Sequence, residues 1–146
     1  MSKMEEKIIQ TILSAEDSIR IKVRFNDTDA MGIVHFKNYL VYFDDGFVSF
    51  MNNIQNPLAV ENAVKKGIVF PVKKIDITYE NSAEFGDHVI VKTKIKNLGD
   101  KSITFLHDIY RESDDSLLAK VECIRLVMEL ETKELLNVKK FFAEFV

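Results

Sequence analysis

Two closely spaced carboxylates, Asp27 and Asp29, lie in a segment whose residue types could support acid–base or nucleophilic chemistry. A carboxylate held in a partly dry pocket can act as a general base or as a nucleophile. Asn38 follows shortly afterwards and is suited to cap a helix that begins there. Because the N-terminus of a helix has unpaired N–H groups and about half a positive charge, it can hold a polarised carbonyl oxygen. The segment therefore combines acidic side chains with a potential site for an electrophile.

A strand and a helix are predicted on either side of this segment and would fix its position. Upstream, apolar residues alternate with charged ones, which is typical of a half-buried strand. The alternating residues are Ile19, Ile21, Val23 and Phe25 on one side and Arg20, Lys22 and Arg24 on the other. Downstream, apolar residues recur every three or four positions over residues 38–51 and leave only a narrow polar face. We therefore expect the segment to be a loop that enters a helix buried on most of its sides.

The second half of the chain predicts a single antiparallel sheet. Alternating runs are joined by short polar turns, and the clearest strand has Val89, Val91, Thr93 and Ile95 on its apolar side. A single sheet must cover its apolar face, and the only long apolar helix in the sequence that could do so is the one at 38–51. The sequence therefore predicts an α+β fold, in which a curved antiparallel sheet is wrapped around a long central helix.

Two further stretches predict helices outside this core. Residues 1–18 have isoleucines and a leucine on one side and charged residues on the other, which is typical of an amphipathic helix. Pro57 suits the start of a short helix, and Gly67 suits its end. We therefore divide the chain into an N-terminal helical extension, residues 1–18, and one domain, residues 19–146.

The composition argues against several classes of function. The formal net charge of −3 disfavours a protein whose main task is nonspecific nucleic-acid binding. No apolar run reaches the ~18 residues that a membrane span requires, and the N-terminus lacks the features of a secretory signal. The histidines are scattered over different elements and no glycine-rich phosphate loop is present, so we predict neither a metal nor a cofactor. The single cysteine, Cys123, cannot form an intrachain disulfide, which favours a cytoplasmic location.

Two blocks of sequence carry a resemblance to a known family. The first runs from Asp27 to Val34 and continues with Asn38 and Tyr39. It resembles the D-x-D-x-x-G-[IV]-V-x-x-x-N-Y signature of hotdog-fold acyl-CoA thioesterases, in particular the 4-hydroxybenzoyl-CoA thioesterase type. The second block agrees with the family in order and spacing and consists of Lys66–Val72, Ile75–Tyr79 and Phe85–Asp87. The resemblance implies that the predicted α+β architecture is the hotdog fold.

The resemblance also implies an enzyme that hydrolyses an acyl-CoA thioester to a free acid and CoA. The second acidic residue of the motif, here Asp29, would attack the thioester carbonyl or activate water, and both roles stay open. The backbone N–H of Phe36 would polarise the carbonyl at the start of the helix. His35 would assist proton transfer or line the pocket, and a purely packed histidine fits equally well. On local grounds Asp29 also suits an Asx-type turn, while Asp27 is expected to shape the loop or to pair with a neighbour.

Substrate-binding residues and an oligomeric state follow from the same resemblance. Gly32 would permit either a positive φ or a close approach of the backbone. Asn38 and Tyr39 complete the motif and are predicted to bind substrate. Because a single hotdog unit leaves a sheet edge and half of the pocket open, we expect a homodimer or a homotetramer.

The predicted contacts to the CoA phosphates depart from the family pattern. Lys101 and Ser102 match the turn that holds the phosphates in the family's best-studied branch, but Gly99 and Asp100 stand where that branch has arginines. This difference leaves room for an alternative, a non-catalytic acyl-CoA binding module on the same fold. A hotdog dehydratase or hydratase fits less well, because those enzymes use a histidine with a differently placed carboxylate and only His35 could serve.

Overall fold

A computed structural model describes residues 2–54 and 60–145, which form an α+β structure built on one five-stranded sheet. Neighbouring strands in the sheet are antiparallel. In spatial order they are β1 (Glu16–Lys22), β4 (His88–Leu98), β5 (Ser102–Arg111), β6 (Leu117–Leu126) and β3 (Val72–Tyr79). A separate ribbon pairs β2 (Ile68–Val69) with β7 (Met128–Glu129). The helices are α1 (Lys3–Ser14), α2 (Asn38–Asn53), α3 (Val60–Lys65) and α4 (Val138–Phe145).

The sheet buries one face against α2, as the alternating pattern predicts. On β4, Val89, Val91, Thr93 and Ile95 are less than 5% exposed, whereas the lysines between them are exposed. The aromatic side chains of α2 pack into the same core, and the buried ones are Tyr39, Tyr42, Phe43, Phe47 and Phe50. The prediction of an antiparallel α+β structure with a long buried helix is therefore confirmed.

The start of α2 differs in detail from the prediction. The helix begins at Asn38 with Lys37 as its N-cap, so the prediction that Asn38 is the N-cap is wrong. The chain enters the helix through a turn, in which the N–H of Asn38 donates to the carbonyl oxygen of His35 over 2.8 Å. The side chain of Asn38 is then free to donate to the backbone carbonyl oxygen of Asp27, 2.7 Å away. Asn38 therefore ties the preceding loop to the helix instead of capping it.

Gly46 allows α2 to lie close to the sheet. A Cβ atom at this position would come within 2.8 Å of Thr93 Oγ1, so a larger residue would displace the helix or the strand. Thr93 Oγ1 is also 2.8 Å from Nδ1 of His107, whose buried ring stacks on Phe43 with ring centroids 5.1 Å apart. Burial, with a smaller contribution from Arg125, lowers the pKa of His107 to about 3. His107 is therefore an uncharged, hydrogen-bonded residue of the core at neutral pH.

α1 and α4 pack together and extend the core. Ile9 and Ile12 of α1 are buried in one apolar cluster with Phe141 and Phe142 of α4. The strand that follows α1 begins at Glu16, somewhat earlier than the alternating pattern suggested. The division of the chain into an extension and a domain stays a prediction.

The short helix predicted after Pro57 is observed only in part. Pro57 itself lies outside the described residues, and α3 covers Val60–Lys65. Gly67 follows with a φ of +82°, the conformation that glycine commonly supplies where a helix ends. None of the described helices is long and apolar enough to cross a membrane.

Candidate active site

The motif segment folds as a narrow hairpin loop between β1 and α2. The N–H of Asp29 donates to the carbonyl oxygen of Ile33 over 2.9 Å, and the N–H of His35 donates to that of Asp27 over 2.8 Å. Gly32 lies in the tip with a φ of +78°, and a Cβ atom built there would meet no atom within 4 Å. Glycine therefore suits this position because of its positive φ, and not because the backbone approaches the rest of the chain closely.

Asp27 fixes the base of this hairpin loop. Its side chain is buried and accepts hydrogen bonds from the Arg24 N–H and guanidinium, both 3.0 Å away, and from the Tyr42 hydroxyl, 2.9 Å away. Burial alone would raise the pKa of Asp27, but the hydrogen bonds from Arg24 and Tyr42 outweigh it and leave that pKa below its usual value. The prediction that Asp27 shapes the loop or pairs with a neighbour is confirmed.

Asp29 lies at the tip of the hairpin loop and is half-buried. Its Oδ1 accepts a hydrogen bond from the N–H of Met31 over 2.8 Å, so the side chain forms the Asx-type turn that local sequence allows. Within the described part of the chain, Oδ2 of Asp29 makes no hydrogen bond. The turn therefore orients the carboxylate and leaves one oxygen available for other partners.

Within residues 2–54 and 60–145, the N–H of Phe36 has no acceptor at the point where the loop enters α2. The neighbouring N–H groups of His35, Asn38, Tyr39 and Leu40 donate to backbone carbonyls, and that of Lys37 donates to His35 Nδ1 over 3.3 Å. Of these six consecutive groups, all within the described residues, Phe36 alone has no acceptor. An unpaired N–H ahead of a helix is the type of donor that can hold a polarised carbonyl oxygen.

Aromatic side chains lie beside Phe36 and the hairpin loop. The Phe36 ring stacks on His35 with centroids 4.6 Å apart and contacts Tyr79 edge-on, while the Tyr79 hydroxyl donates to the Phe36 carbonyl oxygen over 3.1 Å. Phe25 and Phe85 form a second edge-on pair, with centroids 5.8 Å apart. Several large apolar side chains in or next to the hairpin loop are 59–76% exposed, namely Phe25, Met31, Phe36 and Phe85. The hairpin loop is therefore bordered by an apolar surface that no described residue covers.

Tyr39, a predicted substrate-binding residue, lies in the core. It is 2% exposed, its hydroxyl accepts a hydrogen bond from the N–H of Ala83 over 3.2 Å, and burial raises its pKa. The N–H of Val34 donates to the carbonyl oxygen of Ala83 over 2.8 Å. Tyr39 thus supports the loop through the segment around Ala83, and a contact between Tyr39 and substrate stays a prediction.

Lys101 and Ser102 lie at the other end of the sheet from the hairpin loop. The loop adjoins the start of β4, because the N–H of Val23 donates to the carbonyl oxygen of Asp87 over 2.8 Å. Lys101 and Ser102 follow the end of β4, whose 11 residues span about 33 Å. Within one chain the structure therefore does not bring these two residues to Asp29 and Phe36.

Sequence reasoning missed several residues that support the loop. Tyr42 lies four residues after Asn38, so helical spacing alone could have placed both on the face that meets Asp27. Tyr79 is the last residue of β3 and Arg111 the last residue of β5. Both side chains contact loops that are distant in the sequence, and no periodic pattern of residues predicts such contacts. No group of three or more His, Cys, Asp or Glu side chains in residues 2–54 and 60–145 is arranged to hold a metal ion.

Comparison with known proteins gives a family match over most of the chain. Residues 23–146 match the family described as the thioesterase-like superfamily. Acyl-CoA thioesterase YbgC of Haemophilus influenzae is 27% identical over 114 residues, which are 75% of this chain and 81% of that protein. The family match, over residues 23–146, includes the whole hairpin loop and α2.

Solved structures share the architecture at low sequence identity. DHNA-CoA thioesterase from Staphylococcus aureus superimposes with a TM-score of 0.81 at 19% identity, covering 88% of this chain and 85% of that one. The protein SAV2348 from the same species, solved in complex with CoA, gives a TM-score of 0.78 at 17% identity over 89% of this chain and 80% of that one. These likenesses confirm the predicted fold.

Proposed function

Since the chain belongs to the thioesterase-like superfamily, we propose that it is an enzyme that hydrolyses an acyl-CoA thioester to the free acid and CoA. The acyl-CoA thioesterase YbgC of Haemophilus influenzae supports this substrate class, and so does the CoA complex of SAV2348. The observation that carries the proposal is the unpaired N–H of Phe36 in the same hairpin loop as Asp29. By its motif we assign the chain to the 4-hydroxybenzoyl-CoA thioesterase type, and a cytoplasmic location stays a prediction.

In the proposed reaction, the thioester carbonyl oxygen accepts a hydrogen bond from the N–H of Phe36. A donor of this kind stabilises the developing oxyanion by ~3 kcal/mol. Asp29 then acts in one of two ways. As a nucleophile, its carboxylate attacks the carbonyl carbon and expels CoA, and water hydrolyses the resulting anhydride; as a base, it takes a proton from a water that attacks instead.

The surroundings of the loop support an apolar acyl group. The exposed rings of Phe36 and Tyr79 contact each other edge-on, so we expect an acyl chain held at the N–H of Phe36 to meet apolar surface. His35 is hydrogen-bonded through Nδ1 to the N–H of Lys37 and stacks on Phe36, which supports a role in lining the pocket. Contacts from Lys101 and Ser102 to the CoA phosphates would require a second copy of the chain, since one chain keeps these residues away from the loop.

We also propose that the chain forms a homodimer or a homotetramer. The exposed apolar surface beside the hairpin loop, formed by Phe25, Met31, Phe36 and Phe85, is of the kind that marks an interaction site. β3 is an edge strand of the described sheet, so one side of its backbone can pair with another chain, and its Val72 and Ile75 side chains are exposed. Sedimentation equilibrium should give a mass of two or four chains of 16.8 kDa, and a monomer at assay concentrations would contradict the assembly.

The test of the proposed function is hydrolysis of a panel of acyl-CoAs that includes benzoyl, short-chain and medium-chain groups. We expect free thiol to be released with a kcat/KM of at least about 10⁴ M⁻¹ s⁻¹ for the best substrate, together with one equivalent of free acid. Mass spectrometry of the products separates hydrolysis from hydration, which leaves the thioester intact. Tight binding of acyl-CoA without turnover would contradict hydrolysis and support the alternative of a non-catalytic binding module.

A further inference from the structure

The guanidinium of Arg111, at the end of β5, contacts three acceptors on two loops. Nη2 donates to the carbonyl oxygen of Ser82, and Nε lies 3.4 Å from Asp87 Oδ2. Nη1 donates to Asp114 Oδ2 over 2.9 Å. The Arg111 side chain is only 21% exposed, so these contacts are partly shielded from solvent. One side chain thus holds both ends of the segment 82–87.

The segment 82–87 pairs directly with the hairpin loop that contains Asp29. The N–H of Val34 donates to the carbonyl oxygen of Ala83 over 2.8 Å, and the N–H of Phe85 donates to that of Gly32 over 3.4 Å. Between these bonds, Ile33 and Glu84 form an isolated β-bridge. The paired residues of the hairpin loop lie between Asp29 and Phe36, so a shift of segment 82–87 would move both candidate groups.

Asp87 links Arg111 to the same segment a second time. Its Oδ2 accepts a hydrogen bond from the N–H of Glu84 over 2.9 Å, and its backbone carbonyl accepts one from Val23 over 2.8 Å. The carboxylate that pairs with Arg111 therefore also fixes the turn within segment 82–87 and the end of the strand that leads into the hairpin loop.

We propose that Arg111 is a positioning residue for the hydrolysis, which it supports by holding segment 82–87 against the hairpin loop. The inference rests on the proposed function of Asp29 and Phe36. Arginine is required because its planar fork presents several donors at once to a carbonyl oxygen and two carboxylates. A lysine ammonium at the same position could keep the charge but could not reach all three acceptors.

The test compares the variants Arg111→Gln and Arg111→Lys with Arg20→Gln. Arg20 is a matched control, because its guanidinium makes a two-bonded ion pair with Glu112, at 2.6 and 2.9 Å, on the sheet surface. We expect Arg111→Gln to lower kcat ~100-fold and to change KM less than about threefold, since displaced groups impair the chemical step more than binding. Arg111→Lys should lower kcat ~10-fold, and the kcat of Arg20→Gln should stay within about twofold of that of the parent.

Hydrogen exchange supplies a readout that does not depend on activity. The N–H groups of Val34 and Phe85 should exchange at least ~10-fold faster in Arg111→Gln and at the parent rate in Arg20→Gln. Unchanged exchange, or a kcat within twofold of an active parent, overturns the proposal. If the parent hydrolyses no acyl-CoA, the proposed function fails. The exchange rates of Val34 and Phe85 then still show whether Arg111 holds segment 82–87 against the hairpin loop. If Arg111→Gln does not fold, the same comparison is made with Arg111→Lys.

Discussion

Asp29→Asn is expected to lower kcat about a thousandfold while the fold is kept. Asparagine retains a side-chain oxygen that can accept the hydrogen bond from Met31, so the Asx-type turn at the tip of the hairpin loop should persist. The amide is neutral, so it can neither attack the thioester carbonyl nor take a proton from water. The expected loss therefore applies to both roles proposed for Asp29, and it is measured as thiol release from the best acyl-CoA of the panel.

The control for this variant is Asp115→Asn, which makes the same chemical change in another surface turn. Asp115 is exposed and has a φ of 55°, a conformation that asparagine also tolerates. Its kcat and melting temperature should match those of the parent. Should Asp29→Asn hydrolyse the substrate as fast as the parent, the carboxylate has only the local structural role and the proposed mechanism is wrong.

The fold was predictable because its burial is periodic in the sequence. On β4, burial alternates from His88 to Lys96, and on α2 the buried aromatic residues recur at helical spacing. Both periods are visible without any knowledge of partners, because each strand or helix must turn its own apolar side inward. The α+β architecture therefore followed from two patterns, the alternating apolar residues of β4 and the aromatic residues of α2 at helical spacing.

The details of the candidate site were less predictable, because they depend on contacts between residues far apart in the sequence. The hydroxyl of Tyr79 reaches the carbonyl oxygen of Phe36, and Arg111 reaches that of Ser82. Such pairs leave no local pattern. The prediction that Asn38 is the N-cap was wrong for the same reason. By local preference its side chain would cap the helix, but it donates a hydrogen bond to the carbonyl oxygen of Asp27 instead.

The turn from His35 to Asn38 allows a direct test of the carbonyl-binding N–H. Phe36 occupies the second position of this turn, which is closed by the 2.8 Å bond from the N–H of Asn38 to His35. Proline is favoured at the second position of a turn. The preceding residue, His35, donates its N–H to the carbonyl oxygen of Asp27 as in an antiparallel ladder, and such extended backbone is compatible with a proline that follows it. Because the N–H of Phe36 bonds to no described residue, proline there removes no hydrogen bond from the described part of the chain.

Phe36→Pro is therefore expected to have a kcat ~100-fold below that of Phe36→Ala. Both variants lose the ring that stacks on His35 and contacts Tyr79, but only proline also loses the N–H that would hold the thioester oxygen. The ratio of the two kcat values isolates that single donor, provided that the melting temperatures of the variants agree. Equal kcat values in two folded variants would mean that the oxyanion is stabilised elsewhere, because the donor would then have been removed without effect.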